Sequence, residues 1–484
     1  MKTLLPMGDW VVNQGLVGYV RIIEDAGKKV ELASDGVILD ADHLQTFAQD
    51  FFRYYLKQYS VANREKRRLE GLLKRIKAQQ SQRKTNPSKQ LWKDYQSAVK
   101  KIADNVAKYF ADHEKGQQLV RLAQMIREDK EYSESSDLWT EQFIELLQTP
   151  EINDRLTANS FKGAVLSTYH GQVSFLNVSK NKLSVHEQEA VFHQDYVLPA
   201  IEEQKFLQLL ENASTTDELL SWLSQTSHKG LSKLAKELKK SSLEDFRLYL
   251  DRSVNRCNIF DQYYAFDTFD EGTFSPLAIS SANINFAWEA MRNPAIPISA
   301  TAKLILFCAS AGASISAGTS FFIQLEGNFR RLLSVNDKYW HGKSQNKAFD
   351  EIIFDIVAEH ETKARYTTRN YLLIEFSSDY RAKKTMLDYM ILTPALCRLF
   401  LNHSKEFTYL NYTLRNTLTY ELLNYRDPKL ILNDQLREKN KHSYSTLDIV
   451  HASMIRHFYL LYKKGEDKVD KKKESDKIWR LYFS

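Results

Sequence analysis

The chain has 484 residues, 43% of them hydrophobic and 26% charged, which excludes an intrinsically disordered polymer and allows a large core. Only 16 glycines and nine prolines are present, so long helices are favoured over a turn-rich β architecture. The formal net charge is +6, but the positive charge is concentrated in particular segments. A chain of this length is expected to form roughly two to four domains.

The cysteines and the apolar segments indicate a cytoplasmic protein with no membrane partner. Cys257, Cys308 and Cys397 include no C-x-x-C pair, so neither a zinc ribbon nor a disulfide framework is supported, and reduced, buried thiols are expected. The N-terminus has no apolar run long enough for a signal peptide. The most apolar stretch, 302–309, is interrupted by Lys303 and is too short to span a bilayer.

The N-terminal part of the chain predicts short strands followed by helices. Two strands, 29–32 and 36–39, are expected on either side of a turn. A helical pattern then covers 41–148. The next segment, 161–178, is expected to be extended. The pattern over 187–256 again predicts amphipathic helices.

The last hundred residues predict a helical bundle. The pattern is helical from Arg381 to the end of the chain, and leucines recur at every fourth position over 410–422. A second apolar helix is expected over 449–461. Several antiparallel helices joined by short loops form a bundle.

Together these patterns predict an α+β fold that is predominantly helical. A mixed N-terminal domain with small sheets is expected over 1–275, and it contains a basic helical segment over 53–101. A middle α+β segment over 276–378 and the C-terminal helical bundle over 379–484 complete the predicted organisation.

The basic segment, 53–101, is the strongest signal in the sequence. It holds 15 lysines and arginines against three acids, a net charge of +12. Inside it, an apolar stripe at helical spacing leaves the cations around the rest of the helix; the stripe consists of Leu69, Leu72, Leu73 and Ile76. A solvated surface helix is the plain alternative. However, mixed charges would solubilise a helix without self-repulsion, so a one-sided excess predicts a polyanion partner.

Two further observations define the candidate contacts. Pro87 disfavours helix at the residue before it, so two helices joined by a basic loop over 79–89 are expected. A second basic region follows Asp379, with 20 lysines and arginines against 13 acids. The residues expected to contact nucleic acid are Arg64, Lys66, Arg67, Arg68, Lys74, Arg75, Lys77, Arg83, Lys84, Lys343, Arg415, Lys439 and Lys441.

Two glycine-containing motifs resemble catalytic loops but lack a required residue. The first, 342–344, resembles the end of a phosphate-binding loop, although Asp337 stands where a glycine is needed. The second, 312–318, has the composition of a nucleophile elbow, but Ser314 replaces the first glycine of the motif around Ser316. We expect an exposed loop at the first motif. At the second we expect a close backbone approach, either to a phosphate or to another chain segment.

An acidic cluster is the remaining candidate for chemistry. Asp261, Asp267, Asp270 and Glu271 lie in an aromatic stretch, and acidic clusters can bind Mg²⁺ for nuclease chemistry. Their spacing lacks the alternation of a calcium-binding loop, and the chain contains no His-Asp dipeptide. The sequence therefore predicts no catalytic residue, no bound metal and no cofactor.

Four segments resemble the large subunits of type I-B CRISPR Cascade complexes. They are, in chain order, Gly8–Ile22, Gly171–Asn177, Ala302–Phe307 with the small-residue loop after it, and Tyr371–Phe376 with the later Lys383-Lys384-Thr385. The four motifs occur in the same order along this chain as in that family, they cover most of the chain, and its length fits.

The resemblance implies a non-catalytic protein at the foot of a guide-RNA complex. Such subunits inspect target DNA for a short flanking motif and help to separate the duplex. Their C-terminal bundle lies along the non-target strand and is often also made as a separate small subunit from an internal start, for which Met386 or Met390 would serve here. The implied partners are guide RNA with its handle-binding and backbone subunits, double-stranded and single-stranded target DNA, a small subunit and a helicase-nuclease.

Two other function classes stay open at the level of sequence. One is a nuclease of nucleic-acid metabolism whose acidic metal site is not recognisable. The other is a structural RNA-binding protein unconnected with defence. Both would use a basic surface, so the charge pattern alone does not separate them from the first interpretation.

Overall fold

A computed structural model describes residues 2–81, 85–171, 173–277, 296–316, 319–325, 327–340, 371–379, 384–441, 446–466 and 470–483. The chain forms two compact units. The first comprises Met1–Thr3, Tyr19–Val30 and Ile38–Ser310, and the second comprises Leu4–Gly18, Glu31–Val37 and Ala311–Ser484. Each unit therefore combines N-terminal residues with a long later segment, whereas the sequence predicts consecutive domains.

A small sheet and a buried helix open the chain. Strands β1 (Lys2–Pro6), β2 (Glu31–Leu32) and β3 (Gly36–Asp40) pair in the order β1-β3-β2. Both predicted strands are confirmed, although β2 covers only the last two residues of its segment. Helix α1 (Trp10–Asp25) precedes β2 and is buried over most of its length. Its sequence therefore lacks the polar face by which an amphipathic helix is recognised.

The helical pattern predicted over 41–148 is confirmed. These helices are α2 (Ala41–Leu44), α3 (Phe47–Gln58), α4 (Val61–Ser81), α5 (Thr85–Phe110), α6 (Glu114–Glu128) and α7 (Glu134–Leu147), with α8 (Pro150–Phe161) following. Helices α4 to α8 share one apolar core that includes Tyr95, Val99, Leu119 and Phe143. Each large apolar side chain buried in this way stabilises the fold by about 1.5–3 kcal/mol.

Most of the segment predicted as a basic loop, 79–89, is helical in the structure. Helix α4 extends to Ser81, and α5 already begins at Thr85. Pro87 falls in the first turn of α5, where a missing amide hydrogen is tolerated because the first N–H groups of a helix have no partner within it.

The extended segment predicted over 161–178 is wrong. Helix α8 continues into a π-helical turn, Lys162–Leu166, and then into α9 (Ser167–Tyr169). Two 3₁₀ turns follow, at Ser174–Leu176 and Val178–Lys182. Most of the large apolar residues of this stretch are buried, although Val178 is exposed. A short apolar run does not distinguish a buried strand from a buried helix.

The helices predicted over 187–256 are confirmed. They are α10 (Val185–Phe192), a π-helical turn (His193–Val197), α11 (Leu198–Asn212), α12 (Thr216–Gln225), α13 (Lys229–Leu238) and α14 (Leu243–Ser253). A two-residue strand pair follows, β4 (Asp267–Thr268) with β5 (Pro297–Ile298), and then α15 (Ala300–Phe307) and α16 (Ala309–Gly312). An aromatic cluster joins α3, α10 and α15, with the Phe51 and Phe192 ring centroids 4.6 Å apart and those of Phe175 and Phe307 5.7 Å apart.

The second unit is built on an antiparallel sheet. Its strands are β6 (Ser314–Ser316), β7 (Thr319–Gln324), β8 (Tyr371–Asp379) and β9 (Lys384–Leu392), paired in that order. Helix α17 (Phe329–Trp340) is joined to β7 by two hydrogen bonds, because the Asn336 side-chain amide donates to the Ile323 carbonyl oxygen (2.8 Å) and accepts from the Ile323 N–H (3.0 Å).

Strand β9 corrects the helical pattern predicted from Arg381 onward. In β9, Met390 and Leu392 are buried, whereas Tyr389 and Ile391 are 43% and 44% exposed. This alternation has the period of a strand, and Met390 lies opposite Leu373 of β8. The start of the predicted C-terminal bundle therefore falls inside a β-hairpin.

Helices make up the described residues beyond β9. They are α18 (Pro394–Asn402), α19 (Ser404–Tyr409), α20 (Tyr412–Leu423), α21 (Lys429–Lys441), α22 (Thr446–Lys463) and α23 (Lys471–Phe483). The predicted leucine ladder is buried, with Leu418 and Leu422 fully inaccessible, and Ile455 and Phe458 of α22 are equally buried. The predominantly helical α+β fold with small sheets is confirmed.

Candidate nucleic-acid interface

Helix α4 separates the apolar residues of its sequence from the charged ones. Leu69, Leu73 and Ile76 are buried, and Leu72 is half-buried against the same core. The predicted apolar stripe is thus confirmed. The seven lysines and arginines of α4 lie at exposed or half-exposed positions around the rest of the helix.

The cations of α4 and α5 form a surface that we call the basic surface. Six of its members are exposed and form no ion pair with any carboxylate that the structure describes: Arg67, Lys74, Arg75, Lys93, Lys100 and Lys101. Five others are paired with carboxylates. They are Lys66 with Glu70 (3.9 Å), Lys77 with Asp137 (2.8 Å), Lys89 with Glu131 (2.9 Å), and Arg64 and Arg68 with Glu65. Most of the positive charge is therefore directed to solvent, where a polyanion can reach it.

A nearly buried carboxylate holds two arginines at the edge of this surface. Glu65 accepts hydrogen bonds from Nε of Arg64 (3.0 Å) and from Nη1 of Arg68 (3.5 Å). The Glu65 side chain is 10% exposed, whereas those of Arg64 and Arg68 are 59% and 52% exposed. The carboxylate thus fixes one side of each guanidinium and leaves the other side open to a ligand.

These arginines border a groove between α4, α5 and α8, which we call the α4–α5–α8 groove. Its volume is about 280 Å³. Arg64, Arg68 and Lys101 supply three cations to its lining, and Glu65 is its single carboxylate. The remaining polar and aromatic groups of the lining are Asn105, Tyr109, Asn159 and Ser160.

Tyr109 lies at the end of this groove and also lines a second, larger cavity of about 810 Å³. Two cations approach its ring, with Lys108 Nζ 5.1 Å and the Arg155 guanidinium carbon 5.7 Å from the ring centroid. Lys108, Arg155 and Lys182 also line the second cavity. A half-buried aromatic ring flanked by cations is a recurring feature of surfaces that stack the bases of single-stranded nucleic acid.

The other predicted contact residues are distributed along the chain. Arg83, Lys84 and Lys343 lie outside the described residues. In the second compact unit, the guanidinium carbon of Arg415 lies 5.8 Å from the centroid of the Tyr412 ring. Lys439 and Lys441 lie on the last turn of α21. Within the described part of the first unit, the predicted residues share one helix, α4.

Two members of the candidate acidic cluster, Asp267 and Asp270, are engaged in ordinary structural contacts. Asp267 pairs with Lys303 (2.7 Å), and the Asp270 carboxylate accepts from the N–H and the hydroxyl of Thr273 (both 2.9 Å). Within the described ranges, no group of three or more His, Cys, Asp and Glu side chains is arranged to hold a metal ion.

The small-residue segment after α15 makes a close backbone approach to another part of the chain. A Cβ atom added at Gly312 would lie 1.9 Å from the carbonyl oxygen of Gln14, which no side chain tolerates. Of the two alternatives left open by the sequence, contact with another chain segment is therefore correct at Gly312. The phosphate-loop-like motif at 342–344 lies outside the described residues.

Three residues of the groove were not selected from the sequence. Lys101 belongs to the basic segment, but no local signal distinguishes it from its neighbours. Tyr109 and Asn159 come from different helices, and only the packing of α5 against α8 brings them to one groove. A sequence pattern reports positions along one helix and carries no information on which helices meet.

The comparisons with protein-family models, curated proteins and solved structures find no match to this chain. Among the helices of the described part of the chain, none combines the length and the apolar character that a membrane span requires.

Proposed function

We propose that this chain is the non-catalytic large subunit of a type I-B CRISPR Cascade complex. In this role it binds the guide-RNA complex and target DNA, reads a short flanking motif, supports strand separation and recruits a helicase-nuclease. The observation that carries the proposal is the basic surface of α4 and α5, with six exposed cations that pair with no described carboxylate. Such a surface suits the phosphate backbone of a nucleic acid.

The positions of the resembling segments support the same proposal. Phe175 of the second segment and Phe307 of the third pack together in the first compact unit, with ring centroids 5.7 Å apart. Trp10 of the first segment and Phe376 of the fourth pack together in the second unit at 5.8 Å. Segments that a family shares are expected to build the core, because core positions determine the fold.

The experiment is co-expression with the neighbouring genes, followed by pull-down of this chain and sequencing of the bound RNA. We expect copurification with other subunits and with an RNA of uniform length whose 5′ end is derived from a repeat. Purification of the chain without RNA and without partners would contradict the proposal.

A cleavage assay separates this function from the nuclease alternative. The purified chain is incubated with DNA and RNA in the presence of Mg²⁺ or Mn²⁺. We expect intact substrates. Cleavage that disappears in the Asp267→Ala and Asp270→Ala double variant would establish an acidic metal site and overturn the proposal. Copurification with diverse cellular RNA instead of guide RNA would favour a structural RNA-binding protein.

A further inference from the structure

We propose that the α4–α5–α8 groove receives one unpaired nucleotide of a bound single strand, with its phosphate on Arg64, Arg68 and Lys101 and its base against Tyr109. This inference rests on the nucleic-acid binding proposed above and adds a specific site to it. Contacts to the backbone alone need only a charged face, whereas this groove combines charge, depth and an aromatic wall.

The size and the charge of the groove fit one nucleotide. Its volume of about 280 Å³ lies just below the range for small-molecule sites, which begins at about 300 Å³, so it has room for no more than one nucleotide. Three cations face one carboxylate in its lining, a net charge of +2. One phosphodiester therefore leaves the site positive, so the adjacent phosphates of a strand are attracted as well.

The arginines are held in place for this role. Glu65 accepts hydrogen bonds from both of them, so the geometry of the two guanidiniums is set before a ligand arrives. Preorganisation of this kind lowers the entropic cost of binding. Since the guanidiniums stay more than half exposed, each keeps donors for a phosphate oxygen.

The base side of the groove offers stacking and hydrogen bonds. Tyr109 provides an aromatic ring, with the cations of Lys108 and Arg155 lying 5.1 Å and 5.7 Å from its centroid. Asn159 donates its side-chain N–H to the carbonyl oxygen of Asn181 (3.3 Å), which fixes the orientation of the amide. Its Oδ1 atom is buried and has no hydrogen-bond partner among the described residues, so the exocyclic amino group of a base can reach this acceptor only if the side chain turns toward the groove.

The test measures binding of the full-length chain to fluorescent single strands of twelve nucleotides, DNA and RNA, by anisotropy. Tyr109→Leu removes the ring, Tyr109→Phe keeps it, and Arg64→Gln with Arg68→Gln removes two cations. Lys239→Gln with Lys240→Gln, exposed at the end of α13 and outside the basic surface, removes the same charge as a control and should leave binding unchanged. Thermal melting of each variant establishes that it is folded.

We expect Tyr109→Leu to weaken binding about 5- to 150-fold, the range given by removal of one base stack of about 1–3 kcal/mol. Tyr109→Phe should bind like the natural chain. The slope of log affinity against log salt should not change in Tyr109→Leu. In the double arginine variant it should flatten by about 0.7 for each phosphate that is no longer neutralised.

A strand with abasic sites provides the decisive comparison. The natural chain should bind it as weakly as Tyr109→Leu binds the normal strand, and Tyr109→Leu should bind the two strands equally.

Three other outcomes would contradict one or both proposals. If Tyr109→Leu binds the normal strand with full affinity while the arginine variant is weakened, the groove contacts only backbone and the proposal is wrong. A second outcome is that Tyr109→Leu and the double arginine variant both bind the normal strand with full affinity, while neutralisation of Arg67, Lys74 and Arg75 abolishes binding. In that case the groove proposal fails and the proposed function stands. If the natural chain binds no strand, the proposed function fails as well.

Discussion

Glu65 and Arg64 are neighbours in α4, and the guanidinium Nε of Arg64 donates a hydrogen bond of 3.0 Å to the Glu65 carboxylate. The same carboxylate accepts from Arg68, one turn further along. A single acid therefore organises two cations of the basic surface. This contact makes the acid a structural element of a surface that its charge would otherwise weaken.

Glu65→Gln should destabilise the helices of the first unit. The amide keeps the shape but removes the charge-assisted hydrogen bonds, and the two arginines are then less well compensated. We expect the free energy of unfolding in urea to fall by about 1 kcal/mol. Glu70→Gln is the matched control, because Glu70 is exposed and 3.9 Å from Lys66, and it should change the free energy by less than about 0.5 kcal/mol. Equal effects of the two changes would contradict this account.

Neutralising Arg67, Lys74 and Arg75 together to Gln should weaken binding to double-stranded DNA with little dependence on its sequence. These cations have no described carboxylate partner, so their replacement removes phosphate contacts without disturbing an ion pair. The salt slope should flatten by about 0.9 for each phosphate that is no longer neutralised. The control changes Lys236, Lys239 and Lys240, three exposed lysines at the end of α13, to Gln. If the salt slopes of the two triple variants agree, the basic surface is only a solvated face.

His170 should make the protein less stable in acid. It is 2% exposed, its Nδ1 lies 2.9 Å from the carbonyl oxygen of Thr273, and burial lowers its pKa to about 4. Below its usual pKa of about 6.5 the unfolded chain binds a proton that the folded chain binds only near pH 4. The free energy of unfolding should therefore fall between pH 6.5 and pH 4, by about 1.4 kcal/mol per pH unit and about 3 kcal/mol in all.

The measurement for His170 is urea unfolding at several pH values. His170→Gln should have a flatter profile between pH 6.5 and pH 4 than the natural chain, whatever its overall stability. His186→Gln is the control, because the His186 side chain is 86% exposed, and it should keep the natural profile. An unchanged slope in His170→Gln would show that other groups dominate the acid transition.

Gly312→Ala should destabilise the second unit, because the new Cβ atom would lie 1.9 Å from the Gln14 carbonyl oxygen and the backbone would have to move. A melting temperature several degrees lower is expected, which corresponds to an overpacking penalty of about 1–3 kcal/mol. Gly71→Ala in α4 is the matched control, since no atom lies within 4 Å of its added Cβ. That change should stabilise α4 by up to about 1 kcal/mol. A Gly312→Ala protein as stable as the natural chain would contradict the close approach.

The ability of a C-terminal fragment to fold should depend on the residue at which the fragment begins. A start at Met386 cuts β9 and leaves it without β8, so a strand edge with apolar side chains is exposed. A fragment from Thr393 contains the helices from α18 onward and none of the described strands, and it keeps the buried leucine ladder intact. We expect the Thr393 fragment to melt cooperatively by circular dichroism and the Met386 fragment to aggregate more. The opposite ranking would mean that β9 stabilises the helices without β8.

The sequence determined those features that follow from local periodicity. The stripe of Leu69, Leu73 and Ile76 places the cations of α4 on the solvent side of one helix, and this could be predicted because a side chain's direction on a helix depends only on its position. The leucine ladder at 410–422 identified a buried helix face for the same reason. In contrast, the sequence pattern predicts a helix over β9, since its short apolar run carries a strand period only over its last few residues.

Only the tertiary structure decided which distant residues meet. Gly312 faces Gln14 in one unit, and in the other Arg68, Tyr109 and Asn159 share one groove although they come from three helices. The direction of each side chain from its helix is a local property. The pairing of helices is set by how their apolar faces fill a common core, and that depends on all of them together. The charge of the basic surface could therefore be predicted from the sequence, whereas the groove that it borders could not.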